Sequence, residues 1–305
     1  MNPAAAPSCG FAADCAMTRE LVAALPAPWA PLVDAAKKGP LLLVAEGSSR
    51  LVPLGLATRL MRSWGATGIA GCSGRQIPAH WPGTLVALSN SGRTREVIEG
   101  LRGRPHFAIT GLAGGPLAHS ASAAISVLPR PEQAVAATAS VMGQALVVAE
   151  ALAAAHGQRL DRAALVAGLA AITEPTPPAV ERLWIVGGDD GVAEELALKA
   201  WETAGLPATP VASGLALHGL EEVLRPGDAV WVIDGDDADR APIRIRLAPT
   251  GATVIEMTVP AIGGLAPLLR LATGWRWLAA WAVQRGRDPA KPTRARKVGN
   301  DIAGV

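Results

Sequence analysis

The sequence predicts an α/β protein made of two tandem domains, each with a parallel sheet flanked by helices. Three observations support this fold class. Apolar segments of strand length alternate with Ala- and Leu-rich helical segments, a proline-rich stretch interrupts the alternation, and similar strand–loop–helix units recur in both halves. Strands that are apolar at every position are covered on both faces, which is typical of parallel sheets between helix layers.

The first half alternates strands and helices as such a domain requires. Strands are predicted at Leu41–Ala45, Thr84–Leu88, His106–Thr110 and Ala123–Leu128, and helices at Leu51–Ser63, from about Thr94 to Leu101, and at Gln133–His156. The prolines of TEPTPPAV cannot continue a helix, so residues 174–180 are predicted to form a linker that ends a first domain at residues 1–173.

After the linker the alternation starts again. Strands are predicted at Leu183–Val186, Ala229–Ile233 and Thr253–Met257, and helices at Val192–Ala204 and Gly264–Gly286. VAEGSSRLVPLGLATRL, which begins at Val44, aligns with IVGGDDGVAEELALKAW, which begins at Ile185. A diverged repeat of this kind predicts a second, pseudo-symmetric domain at residues 181–287, followed by a basic tail at residues 288–305.

Composition excludes several classes of protein. Half of the 305 residues are hydrophobic and the net charge is +2, which suits a packed core and leaves no basic patch for nucleic acid. No apolar run reaches the roughly 18 residues of a membrane span, and no signal peptide is recognisable. Irregularly spaced Cys9, Cys15 and Cys72 favour a reducing cytoplasm, and the histidine spacing predicts no zinc site. No metal or organic cofactor is expected.

The most informative segment is SNSGRT, residues 89–94, which follows a strand and opens a helix. Backbone amides at the start of a helix attract anions. Hydroxyls of Ser89, Ser91 and Thr94 add donors, and Gly92 allows close approach of the backbone. The segment therefore predicts an anion site.

A second polar loop, EGSS at residues 46–49, follows the preceding predicted strand. Loops at the carboxyl ends of parallel strands face one crevice, where ligands bind. Two serine-rich loops with neither GxxxxGK[ST] nor GxGxxG favour a phosphate monoester over a nucleotide. The structural alternative is that these loops only cap helices.

These motifs resemble a known family. AEGSS followed by SNSGRT is similar to the signature of the sugar isomerase (SIS) domain. The duplicated arrangement resembles the isomerase half of glucosamine-6-phosphate synthase, SIS-type glucosamine-6-phosphate deaminases and phosphosugar isomerases, and MTREL with Pro26 resembles their leading helix. The resemblance covers nearly the whole chain and implies two tandem SIS domains, each a flavodoxin-like three-layer α/β/α unit.

The resemblance also implies which residues hold the substrate. The implied phosphate-binding residues are Ser49, Ser89, Asn90, Ser91, Gly92 and Thr94, and the other implied substrate-binding residues are Gly47, Ser48, Val135 and Thr138. The last two lie in PEQAVAATA, which contains Glu132 and is similar to the family's E-x-x-V-A-S-T-K. Ala137 and Ala139 stand there in place of the family's serine and lysine.

A second motif, ELALKAWE at residues 195–202, is similar to the family's E-G-A-L-K-x-K-E. Its spacing places Glu195, Lys199 and Glu202 on one helix face. A partly desolvated glutamate beside a lysine suits proton transfer between C1 and C2 of an open-chain sugar, and the resemblance implies that Glu202 is that base. An exposed, salt-bridged helix face is the structural alternative.

Two further residues come from weaker matches. SGLALHGLEEVL is similar to S-G-E-x-x-H-G-P, which implies that His218 opens the sugar ring and is contributed by the partner subunit of a dimer. The tail is similar to D-x-P-R-x-L-x-K, which implies that Lys297 folds back to meet the open-chain carbonyl. An ordinary hydrogen-bonding histidine and a solvated basic tail are the alternatives.

The second half departs from the family where it would bind anions. GGDD, residues 187–190, stands where many members have G-R-G, so Gly188 replaces the arginine, and DGDD, residues 234–237, stands at the loop equivalent to SxSG. Carboxylates repel phosphate. One sugar-phosphate site per chain is therefore expected, with the phosphate on the first domain and the chemistry supplied mainly by the second.

The leading hypothesis is a phosphosugar isomerase or deaminase that acts on a hexose or amino-sugar 6-phosphate through an enediol or enolamine. Glutamine-driven amination is not expected, because residue 2 is Asn and the repeat begins too early to leave room for a glutaminase domain. The alternatives are a non-catalytic phosphosugar-binding regulator and the isomerase subunit of an aminotransferase. We expect a cytoplasmic homodimer with shared active sites, and neither nucleic acid nor membrane as a partner.

Overall fold

Two parallel β-sheets organise the chain in the computed structural model, which describes residues 9–26 and 28–295. The first sheet has the order β2-β1-β3-β4-β5 and consists of β1 (Leu41–Ala45), β2 (Ile69–Cys72), β3 (Thr84–Ser89), β4 (Phe107–Thr110) and β5 (Ala123–Ser126). The second has the order β7-β6-β8-β9 and consists of β6 (Arg182–Gly187), β7 (Ala208–Ala212), β8 (Asp228–Val232) and β9 (Thr253–Glu256). The predicted fold class is confirmed, and we refer to the two sheets with their helices as the first and second domains.

Helices lie on both faces of each sheet. They are α1 (Cys9–Ala24), α2 (Ala30–Lys38), α3 (Ser48–Ser63), α4 (Arg95–Gly100), α5 (Pro116–Ser120), α6 (Ala139–Ala155), α7 (Arg162–Ala170), α8 (Val192–Lys199), α9 (Asp237–Leu247) and α10 (Ala266–Gln284). A π-helical turn, Ala200–Ala204, continues α8. Within the described ranges, none of the helices combines the length and the apolar character that spanning a bilayer requires.

The largest apolar core extends through both domains. It contains residues of both sheets, such as Leu43 and Ile185, and of the helices between them. Every residue of α6 from Ala139 to Ala153 is buried, which explains why this helix has no polar face. Smaller cores lie under α4 and α5 on the first sheet and under α9 on the second. The two domains therefore share one interior.

Three predicted boundaries are wrong: α3 begins at Ser48 rather than Leu51, β5 ends at Ser126 rather than Leu128, and the largest error is at α6. Residues 133–138 were expected to be helical, but α6 begins only at Ala139. The backbone amides of Gln133 and Ala134 donate to the Asp14 carboxylate, at 3.0 and 2.8 Å, and the amide of Thr138 donates to Glu132 Oε1 at 2.6 Å. Side chains hold these amides along a non-helical path, and Glu132 takes the Thr138 amide, which a longer helix would bond to the carbonyl oxygen of residue 134.

Several elements had no strong sequence signal. They are α2, β2, α5, α7, β7 and α9. β2 is only half-buried, and β7 contains a proline. α9 contains Pro242 and many charges, and it is stabilised at its start by a reciprocal capping box between Asp236 and Asp239. Short or polar elements of this kind depend on tertiary contacts rather than on local apolar patterning.

Candidate active site

The SNSGRT loop joins β3 to α4 and is folded on itself. Buried Ser89 accepts a hydrogen bond from the Gly92 amide at 3.1 Å, and its hydroxyl lies 2.8 Å from that of Thr94. The Arg93 amide donates to Ser91 Oγ at 3.1 Å. Gly92 has a φ of +65°, which L side chains rarely adopt. The hydroxyls named in the motif therefore fix the turn of the loop.

Glu132 connects this loop to the start of α6. Its Oε2 accepts from Asn90 Nδ2 at 2.9 Å and from Ser140 Oγ at 2.8 Å, while its Oε1 accepts from the Thr138 amide. The motif alone did not predict this role of Glu132. An acidic side chain shortly before a helix is the signal that could have shown it.

The EGSS loop lies next to the SNSGRT loop. β1 and β3 are neighbours with Ala45 beside Leu88, so both loops leave the sheet at the same edge. Gly47 has a φ of +50°, and Ser49 is buried in the first turn of α3. Ser48 Oγ accepts a hydrogen bond from Lys199 Nζ at 2.8 Å. This contact joins the predicted phosphate side of the first domain to the predicted catalytic helix of the second.

Glu195, Lys199 and Glu202 form one ionic group on α8 and its π-helical turn. Lys199 Nζ lies 3.3 Å from Glu195 Oε1 and 2.6 Å from Glu202 Oε2. Single π-helical turns within α-helices often occur at functional sites, and this one carries Glu202. The structure thus brings these three predicted residues together with Ser48. We call this group of four the open junction.

Burial separates the roles of the two carboxylates. Glu195 is 0% exposed and Lys199 1%, whereas the Glu202 side chain is 26% exposed. Burial raises the pKa of Glu195 to about 7, and Glu202 acts in the same direction while Lys199 opposes it. Burial lowers the pKa of Lys199, but Glu195 and Glu202 outweigh that effect and raise it. A charged lysine at neutral pH therefore lies beside a carboxyl group, Glu195, that is partly protonated.

A cavity of about 450 Å³ adjoins Glu202. Leu198 and the exposed Trp201 line one side, and Arg287 and residues 292–295 line the other. The segment that precedes residues 292–295 lies against the first domain, because the Val135 amide donates to the carbonyl oxygen of Ala290 at 3.1 Å. Lys297, predicted to follow this path, lies outside the described residues.

His218 does not join this group within one chain. It lies on the loop after the 3₁₀ turn Ser213–Leu215 and is exposed, and no described residue makes a hydrogen bond to its ring. Leu215, in the same turn, is also exposed. Among residues 9–26 and 28–295, the ring of His218 therefore has no hydrogen-bond partner.

The equivalent place in the other half of the repeat is filled by ion pairs. Arg59 Nη1 on α3 lies 2.9 Å from both Asp190 Oδ2 and Asp234 Oδ2. Arg270 on α10 lies 2.7 Å from Asp190 Oδ2 and 3.1 Å from Asp234 Oδ1. We call these four residues the closed junction. Asp234 was expected to repel phosphate, but the arginines that pair with it were not predicted from the sequence.

Comparison with known proteins agrees with this architecture. No protein-family model matches the chain. The glutamine–fructose-6-phosphate aminotransferase (isomerizing) of Aeropyrum pernix is 26% identical over 83% of the chain, which spans about half the length of that relative (51%). The match therefore concerns only part of a longer protein.

Two solved structures are similar over almost their full length. Glucosamine-6-phosphate deaminase from Thermotoga maritima has a TM-score of 0.77 and 20% identity, covering 94% of this chain and 97% of its own. Tagatose-6-phosphate ketose/aldose isomerase from Escherichia coli has a TM-score of 0.71 and 16% identity, covering 95% and 100%. The resemblance to the sugar isomerase domain family that the motifs predict is confirmed, and at these identities the structures share the fold.

Proposed function

We propose that this chain is a phosphosugar isomerase or deaminase acting on a hexose or amino-sugar 6-phosphate. The observation that carries the proposal is the open junction. In it the partly exposed carboxylate of Glu202 contacts the buried Lys199, which also donates to Ser48. The hydroxyl-rich SNSGRT loop leaves the same edge of the sheet as the loop of Ser48. The names of the similar proteins, a deaminase, an isomerase and an isomerizing aminotransferase, support the same class of substrate.

Glu202 moves one proton in the proposed reaction. Its carboxylate takes the proton from C2 of the open-chain aldose, and the anionic enediolate that forms takes a proton from water at O1 to give an enediol or enolamine. Glu202 then returns its proton to C1 while O2 or the amino nitrogen gives its own proton back to water, which leaves the ketose or its imine. Water then hydrolyses the imine and releases ammonia when C2 carried an amino group. Glu202 suits this role better than Glu195, because only Glu202 has a solvent-accessible side chain.

Lys199 and Glu195 set the charge around the base. Lys199 holds Glu202 in place through a 2.6 Å contact, and its positive charge offsets the carboxylates beside the anionic intermediate. Glu195, with its raised pKa, is partly protonated near neutral pH, so it adds less than a full negative charge. This arrangement places the partly exposed Glu202 carboxylate against a buried cation.

The phosphate is proposed to bind at the SNSGRT loop with help from Ser49. Neutral hydroxyl and amide donors suit a phosphate monoester without adding charge. Glu132 keeps Asn90 in place through its 2.9 Å hydrogen bond. Gly47, Val135 and Thr138 are proposed to line the remaining substrate surface.

The ring-opening step is assigned to His218 of a partner subunit in a homodimer. The exposed position of His218, with no side-chain partner in its own chain among the described residues, supports this assignment. Lys297 is proposed to meet the open-chain carbonyl, as the resemblance implies. Both roles depend on parts of the assembly other than the described residues of one chain.

The test is turnover of a panel of hexose and amino-sugar 6-phosphates. Glucosamine 6-phosphate should give fructose 6-phosphate and ammonia, or another member of the panel should isomerise. Glu202→Gln should lower kcat by roughly 10²- to 10⁴-fold and keep phosphosugar binding. The control is Glu194→Gln, an exposed carboxylate on the same helix, which should keep wild-type kcat.

A non-catalytic phosphosugar-binding regulator is the second candidate. It is favoured by Ala139, which is fully buried at the start of α6 where the family motif carries a lysine. Binding of phosphosugars with no turnover of any panel member would support this regulator and overturn the enzyme.

A further inference from the structure

We propose that Arg59 is a positioning residue for the active site, acting through the closed junction to hold α8 in place against α3. The expected effect on turnover rests on the proposed function, whereas the geometry of the closed junction does not depend on it. Among the four residues of the closed junction, Arg59 alone belongs to the first domain. It is therefore the link by which the ion pairs join the two domains.

The closed junction is built to be rigid. The side chains of Asp190 and Arg270 are 1% and 7% exposed, and each pairs with two opposite charges. Burial raises the pKa of Asp234, but Arg270 and Arg59 outweigh that effect and hold it below its usual value. Arg59 is 40% and Asp234 18% exposed, so removing Arg59 takes from the buried Asp190 one of its two cations while Arg270 remains.

The junction is coupled to α8 at its first residue. Asp190 Oδ1 accepts the Val192 amide at 3.1 Å, while the other oxygen of the same carboxylate pairs with the two arginines. Any shift of Asp190 therefore shifts the start of α8. Because an α-helix is rigid over two turns, the shift reaches Lys199 at the other end.

Close backbone packing makes the position of α8 sensitive to such shifts. A Cβ at Gly55 of α3 would lie 2.3 Å from the carbonyl carbon of Asp190, and a Cβ at Gly191 would lie 2.2 Å from the carbonyl oxygen of Leu51. α3 begins with Ser48, the residue that receives Lys199 Nζ. The same pair of helices thus carries the closed junction along one stretch and the open junction along another.

The hydrogen bonds that fix the SNSGRT loop do not involve Arg59 or α8. They run within the loop and from Asn90 to Glu132, and these residues belong to the first domain. Loss of Arg59 is therefore expected to disturb the placement of Lys199 and Glu202 but not the capture of phosphate. That separation gives a signature that a general loss of stability would not produce.

The test compares Arg59→Ala, Arg59→Lys and Asp234→Asn with the control Arg62→Ala. Arg62 lies on the same helix, and its pair with Asp189 is exposed. Hydrogen exchange measured by mass spectrometry should be roughly tenfold faster at 192–204 in Arg59→Ala and Asp234→Asn, and unchanged at 84–89. Arg59→Lys should restore part of the protection, and Arg62→Ala should match wild type. Asp234→Asn preserves side-chain shape and decides the matter if Arg59→Ala does not fold.

Turnover supplies the second readout. In Arg59→Ala, kcat should fall roughly tenfold or more because Glu202 is misplaced, while the Kd for inorganic phosphate stays at its wild-type value. Unchanged exchange at 192–204, or equally faster exchange along the whole chain, would overturn the positioning role. Absence of turnover in the wild type would count against the proposed enzyme only, since the exchange result stands without it.

Discussion

The two junctions occupy equivalent places in the repeat. Each connects a helix of one domain to a loop of the other, but with different side chains. In the open junction a helix of the second domain brings Lys199 to the first loop of the first domain. In the closed junction a helix of the first domain brings Arg59 to the corresponding loop of the second. The first keeps hydroxyls at the neighbouring loop, and the second has Asp234 there.

The two loops differ in whether they carry a negative charge of their own. Hydroxyl and amide groups are neutral donors, so a loop that carries them can donate hydrogen bonds to an anion from outside. Asp234 brings its own negative charge, and Arg59 and Arg270 satisfy it internally. Asp190 and Asp234 stand where the first half has Ser49 and Ser89, and with two arginines in reach these two carboxylates connect the domains.

The largest expected effect comes from removing the cation of the open junction. Lys199→Met leaves Glu195 and Glu202 without their buried partner and should lower the free energy of unfolding by about 3–5 kcal/mol. Urea unfolding followed by circular dichroism measures it, with the exposed Lys38→Met as control. A loss below about 1 kcal/mol would mean that the open junction does not depend on this lysine.

The next effect concerns pH and applies to the open junction alone. The pKa of Glu195 is about 7 in the folded protein and near 4.5 when unfolded, so the folded state binds the proton more tightly. This carboxyl group therefore destabilises the fold progressively as the pH rises from about 4.5 to 7, and its effect is constant on either side of that window.

Glu195→Gln removes this pH dependence. The stability of wild type relative to the variant should fall by on the order of 3 kcal/mol between pH 4 and pH 8. Paired urea titrations at several pH values measure the difference, and the exposed Glu99→Gln should show no such trend. A difference that is constant with pH would show that Glu195 is ionised throughout.

A smaller effect, on phosphate affinity, is expected from removing one hydroxyl of the SNSGRT loop. Ser89→Ala removes the oxygen that accepts the Gly92 amide and contacts Thr94, so the SNSGRT loop loses its fixed turn. Affinity for inorganic phosphate and for phosphosugars should fall about tenfold by calorimetry. Ser73→Ala, which removes a similar hydroxyl after β2, should leave affinity unchanged. Equal losses in both variants would contradict a site at residues 89–94.

The fold was predictable where the apolar pattern was continuous. β1, β3, β6 and β8 are apolar and buried, and the prediction found all four within a residue at each end. α9 was missed because its charges and Pro242 do not form a helical pattern in the sequence. In the structure Asp236 caps the start of this helix. Residues 133–138 were predicted as helix because no local pattern shows that Asp14, far away in sequence, takes their amides.

The site followed the same division. Glu195, Lys199 and Glu202 share a face by helical spacing alone, so their grouping was predictable and the structure brings them together. The Lys199 to Ser48 contact and the Arg59 to Asp234 pair join residues far apart in sequence, and local spacing contains no information about them. The repeat itself pointed to equivalent loops, but not to the residues that would fill them.

The smallest effect tests how the second domain uses the loop that SNSGRT occupies in the first. Asp236 caps α9 by accepting the Asp239 amide at 3.0 Å, so this loop serves its own helix. Asp236→Ala should lower the free energy of unfolding by about 1 kcal/mol and leave phosphate affinity unchanged. Asp236→Asn, which can still cap, should lose less. If phosphate affinity changed in Asp236→Ala, the second loop would also take part in binding the anion, and the division of labour between the two junctions would be wrong.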